Sequence, residues 1–279
     1  PVQRIYPLLF VFLWSTGFIG AKYGLPYAEP LSFLFVRYLA VIALMTAIAL
    51  LTRAPWPKAP MQWVHIGVSG LLVHAVYLGG VFIAIKQGLP AGITALVVGM
   101  QPLLTALGAG WLLGERVVGR QWLGLALGFV GVALVVSGKF GDTAALGPML
   151  VPALCALLGI TVGTLYQKRF CARFDLRTGS VIQFVPTALA TLPVILLFDG
   201  FHVDWTGDFI FALAWLVLVL SIGAISLLNL LIRSGSAVNV ASLFYLTAFL
   251  MFDEKLGWLA VLGMGLAVSG VYLVARPAK

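Results

Sequence analysis

Ten stretches of 16 to 23 residues, separated by short breaker-rich loops, contain almost no charge. They run approximately over 5–23, 31–51, 63–85, 91–113, 121–138, 147–166, 180–198, 209–231, 237–252 and 257–275. A helix of ~20 apolar residues crosses the ~30 Å hydrocarbon core of a bilayer. A soluble fold has no place for so much apolar surface. Apolar residues make up 62% of the chain and charged residues 9%, against ~45–50% and ~25% in ordinary domains. Backbone groups in lipid must pair internally, which leaves helices or closed barrels. Barrel strands alternate polar and apolar residues over ~10 positions, and runs such as Leu123 to Ser137 do not. The expectation is an all-α integral membrane protein of ten transmembrane helices.

The net charge of +8 does not point to nucleic acid, because the basic residues form short clusters between apolar runs rather than one patch. They point to an orientation instead. With the N-terminus in the cytoplasm, twelve Lys and Arg residues, from Arg4 and Arg53 to Arg276 and Lys279, fall on the inner side. Only Lys22, Lys86, Lys139 and Lys255 fall on the outer side, so both termini are expected inside a bacterial-type inner membrane. The first run, Ile5 to Tyr23, is taken as a helix rather than a leader because nine more follow it, and Pro1 is expected to follow a short tail. Cys155 and Cys171 have no metal or redox spacing and are expected to be free thiols. No metal or cofactor is expected.

Comparing the chain with itself reveals two halves. At an offset of 146, Ser15-Thr16-Gly17 meets Thr161-Val162-Gly163, Lys22 meets Lys168, Ala91 meets Ala237 and Ala95 meets Ala241. At an offset of 139, Glu115 meets Glu254, Gly124 meets Gly263 and Gly131 meets Gly270. The expected units are 1–140 and 141–279, five helices each. Five is odd, so the second unit enters the membrane from the opposite side. Two inverted five-helix repeats can rock about a site at their interface, the architecture of many secondary transporters. The change of offset implies that seven residues of the repeat are missing between about Tyr245 and Phe252.

Leu112-Leu113-Gly114-Glu115-Arg116, Gln121-Trp122-Leu123-Gly124 and Gly128-Phe129-Val130-Gly131-Val132 resemble the end of an EamA module. Ala91-Gly92 to Gln101-Pro102 precedes them as in that module. The second half offers Ser242 to Leu246, Phe252-Asp253-Glu254-Lys255 and Gly263 to Gly270. Together these resemble the EamA branch of the drug/metabolite transporter superfamily along nearly the whole chain. The resemblance implies ten helices, a central cavity between halves, and export or exchange of small metabolites, with YddG-type amino-acid exporters the nearest group. The chain departs from the pattern after Tyr245. It also lacks the helix 1 glutamate of the small multidrug relatives, which removes the group their proton exchange uses.

Polar side chains in mid-membrane are costly and concentrate at functional sites. His74 and Tyr77, three residues apart, share one helix face. Trp14 lies mid-helix rather than at an interface. Gln101 precedes a proline that frees the Val98 carbonyl. Asn229 and Tyr245 are the second-half candidates. These six are the expected substrate-binding residues, each weighed against a purely interhelical role. Arg37 and its repeat counterpart Gln183 are expected to be structural or gating residues, and Glu115 and Glu254 to be packing and capping residues at helix ends. No Asp or Glu lies deep in a run, which favours a facilitator or weak coupling through His74.

The function expected is a monomeric carrier in the lipid bilayer, not an enzyme. It exports or equilibrates small metabolites, amino acids with aromatic or apolar side chains foremost. A multidrug or nucleobase exporter of the same fold is the near alternative. A membrane enzyme acting on a lipid needs clustered acids and histidines. Asp199, His202, Asp204 and Asp208 are the one such group, and their spacing suits a solvated loop. A channel needs an oligomeric pore or charged rings, and neither is evident.

Overall fold

The computed structural model describes residues 5–113, 119–139, 146–171 and 174–224, with 227, 262–263, 265–266 and 269–270 beside them. Among the described residues every regular element is helical, and the only extended pairing is an isolated antiparallel bridge between Ala28 and Val203. The helices are α1 (Ile5–Gly24), α2 (Pro30–Leu51), α3 (Pro60–Lys86), α4 (Ala91–Val98), α5 (Gln101–Leu113), α6 (Gly119–Lys139), α7 (Leu146–Phe170), α8 (Leu176–Phe198) and α9 (Gly207–Ala224). Six described segments are long and apolar enough to cross a membrane: α2, α3, α4 continued through Ala109, most of α7, α8 and α9.

Local chemistry sets the ends. Pro30 and Pro60 open α2 and α3, where a missing N–H costs nothing. Asp175 caps α8 by accepting from the Arg177 backbone N–H at 2.9 Å, and Thr206 caps α9 by accepting from that of Phe209 at 3.2 Å. The run read as one helix over 91–113 is broken at Gly99–Met100, just before Gln101-Pro102, because proline cannot supply the hydrogen bond that would continue it.

Helix α2 packs along α8. Helix α1 packs against α9, while α7 packs against α3 and α5. Phe33, Leu34, Tyr38 and Val41 of α2 are wholly buried, whereas Leu50, Leu51, Leu189, Leu197 and Phe198 are exposed. Large apolar side chains pointing outward from helices of this length are what a lipid solvent accepts. Contact between α3 and α8 depends on Gly70, where a Cβ would lie 2.5 Å from the Gln183 carbonyl oxygen.

Two helices widen part-way along. Residues Leu71–Leu78 of α3 and Leu216–Ala224 of α9 form π-helical turns. The offset of 146 carries 71–78 onto 217–224. Such turns leave carbonyls without their usual partner and recur at functional sites.

Candidate functional site

A cavity enclosing about 730 Å³ of empty space, its open part included, lies between α1, α2, α3, α7, α8 and α9. The π-helical turn of α3 forms one wall, which brings His74 and Tyr77 to the same opening. Trp14 of α1 faces Tyr77, their rings nearly parallel at 7° with centroids 6.2 Å apart. Phe82 closes one end in an aromatic cluster with Phe33 (5.3 Å) and Phe209 (4.8 Å from Phe33).

The polar groups are few and deeply set. His74 is 2% exposed, its ring stacked on Phe184 at 4.0 Å, and both ring nitrogens lack a hydrogen-bond partner. The Tyr38 hydroxyl donates to the His74 carbonyl at 2.7 Å, which pins the backbone of the widened turn. Arg37 is also 2% exposed. It donates from Nη2 to Ser221 Oγ at 3.2 Å, and its Nε has no acceptor. Gln183 donates to Ser69 Oγ at 3.1 Å. Thus α2 reaches α9 through Arg37, and α8 reaches α3 through Gln183. Both side chains lie on the cavity wall.

Of the substrate-binding residues expected from sequence, Trp14, His74 and Tyr77 come together at the cavity. Gln101 is placed elsewhere: its amide donates to Thr164 Oγ1 at 3.2 Å and ties α5 to α7. Asn229, Tyr245, Glu115 and Glu254 lie outside the described residues, as does the expected shortfall between Tyr245 and Phe252. The cavity adds Gly17, Phe18, Gln167 and Leu220. Gln167 adjoins Lys168-Arg169, a basic pair that marks a helix end in the sequence rather than a cavity wall. The Asp199 to Asp208 group does not converge on a site. His202 pairs with Asp204 at 3.5 Å on the surface. Asp208 accepts from the hydroxyls of Tyr23 (3.2 Å) and Tyr27 (2.9 Å), which raises the Tyr27 phenol above its usual range.

Residues 5–137 match the EamA-like transporter family. The first half of the chain is similar to that family of transporters. A transporter of Bacillus subtilis, YvbV, is 29% identical to it over 96% of this chain and 90% of its own length. A protein of Escherichia coli named as a probable amino-acid metabolite efflux pump is 28% identical over 96% and 93%. A crystal structure superposes on this chain with a TM-score of 0.66 at 22% identity, covering 96% of this chain and 94% of that one. That likeness concerns the fold alone. These relatives are named for moving solutes, not for catalysis.

Proposed function

We propose that this chain is a secondary transporter, an exporter or facilitator, of small metabolites, and that amino acids with aromatic or apolar side chains are its main substrates. The observation that carries this is the cavity itself: a flat aromatic pair, Trp14 and Tyr77, opposite a few buried polar groups, in the middle of six apolar helices. The Escherichia coli relative, named as a probable amino-acid metabolite efflux pump, supports amino-acid metabolites as the broader class.

The mechanism is alternating access in ten helices arranged as two inverted five-helix repeats, 1–140 and 141–279, acting as a monomer. Three observations support the repeat. Helix pairs α1–α9 and α7–α3 exchange places under the repeat, with α2 against α8 at the axis. Counterparts Tyr38 and Phe184 touch there, at 5.6 Å between ring centroids. The two π-helical turns correspond at the same offset. Both termini are cytoplasmic in an inner membrane of bacterial type, as the Lys/Arg bias requires.

Counterflow in proteoliposomes tests the function, with labelled amino acids, nucleobases and cationic drugs on either side of an imposed pH gradient. Saturable exchange of aromatic amino acids, weakened about tenfold or more by Tyr77→Ala or Trp14→Ala, is expected. Exchange of drugs or nucleobases alone would overturn the substrate assignment. Facilitation predicts little response to the pH gradient. Strong proton-driven transport that disappears in His74→Ala would replace it with coupling through that ring.

A further inference from the structure

The cavity has aromatic walls and, among the described residues, one cation without a counter-ion. Arg37 lies about two turns into α2, is nearly fully buried, and has the Ser221 hydroxyl as its one hydrogen-bond partner among the described residues. Its Nε is buried with no acceptor. All nine acidic residues of the chain fall at or between the ends of the apolar runs, and among the described residues no carboxylate pairs with the guanidinium. A buried charge left unpaired is a standing cost, relieved when a partner of opposite sign enters. Planar guanidinium suits a carboxylate, which it can hold through two parallel hydrogen bonds. Beside it, both His74 ring nitrogens are buried without partners, and a neutral imidazole still offers one N–H. The charge is one-sided, since the repeat counterpart of Arg37 is the neutral Gln183, already engaged with Ser69.

We propose that Arg37 is the carboxylate-binding group of the cavity. The substrate is an organic carboxylate with an aromatic or apolar body, its anionic end on Arg37 and His74 and its body against Trp14 and Tyr77. This rests on the cavity being the transport site. It deepens that reading by excluding cationic and carboxylate-free solutes. Amino acids qualify through their carboxylate, and the same acids without the amine qualify equally.

The test uses the full chain in proteoliposomes and four probes with one body: L-phenylalanine, 3-phenylpropionate, L-phenylalaninamide and phenethylamine. Binding is measured by calorimetry and transport by counterflow. At least one carboxylate probe is expected to bind about 10- to 100-fold more tightly than the amide and the amine, the range of a charge-assisted contact. Arg37→Gln is expected to erase that preference, Arg37→Lys to restore part of it, and Ser221→Ala to keep it, because the charge remains. Equal binding of phenylalanine, its amide and phenylpropionate by the wild type overturns the proposal, and this comparison needs no variant to fold. So does wild-type affinity for the carboxylates in folded Arg37→Gln, or no binding of any probe. Exchange of phenylpropionate without phenylalanine sustains the carboxylate site and sinks the amino-acid assignment. Equal exchange of all four sustains a carrier and sinks the carboxylate site. Carboxylate binding without exchange sustains the site and sinks the carrier.

Discussion

Asp175 does two jobs at the start of α8. Its carboxylate accepts the Arg177 backbone N–H and also holds that residue's guanidinium, at 2.9 and 2.6 Å. The hydrogen bonds from Arg177 keep the carboxyl below its ordinary value of 3.8. A carboxyl whose folded pKa is depressed stabilises the fold fully above the unfolded value, and the contribution is lost as pH falls through the folded pKa. Asp175→Ala is therefore expected to cost about 1 kcal/mol at pH 7. The deficit should vanish well below pH 3.8, as read from thermal unfolding in detergent at each pH. Arg53, at the end of α2, has φ +49°, a left-handed backbone that favours glycine. Arg53→Gly should raise stability by up to ~1 kcal/mol, and a fall in melting temperature would contradict this. At this scale the sequence was informative wherever a side chain contradicted its surroundings. Trp14, His74 and Tyr77 stood out as polar or aromatic groups mid-run. Gln101 stood out for the same reason and turned out to bond Thr164. Chemistry says that a buried amide needs a partner, but not which helix supplies it.

Whole elements were legible where apolar length and breakers agree. The runs expected over 31–51 and 63–85 correspond to Pro30–Leu51 and Pro60–Lys86, the prolines setting the starts. The π-helical turns were not legible. Leu71–Leu78 is apolar around most of its circumference, so the pattern of hydrophobicity carries no mark of whether a carbonyl is reached from four or five residues on. The turn in α3 begins just after Gly70, where α3 meets α8. The missing side chain of Gly70 lets α3 lie on the backbone of α8 at Gln183. Backbone atoms cannot swing aside as a side chain can. Gly70→Val is expected to destabilise the protein by about 1–3 kcal/mol and to impair transport, whereas Gly207→Ala, with nothing near its missing Cβ, should do neither. Equal melting temperatures for the two variants would show that α3 and α8 are not in close contact.

For the molecule as a whole, charge counting and self-comparison lead to a proposed orientation and a proposed two-fold plan, which no single helix carries. The native cysteines test the orientation. Cys171 follows α7 at the end expected to face the cytoplasm, and burial pushes its thiol up. Cys155 is exposed on the outer face of α7, among lipid tails in this arrangement. A charged maleimide should modify Cys171 only from the cytoplasmic side, faster at alkaline pH where more thiolate is present, and should leave Cys155 untouched. Labelling of Cys171 from outside would invert the topology. The unpaired guanidinium at Arg37 has an electrical consequence as well. With a carboxylate of net charge −1 aboard, such as phenylpropionate, the site at Arg37 is neutral; empty, it carries a positive charge. A membrane potential does work of about 2.3 kcal/mol per elementary charge per 100 mV, so voltage acts on the empty protein as it resets and spares the loaded one. Exchange, in which the site is occupied in both directions, should then ignore a potassium diffusion potential, while net release of the same substrate should speed or slow with it.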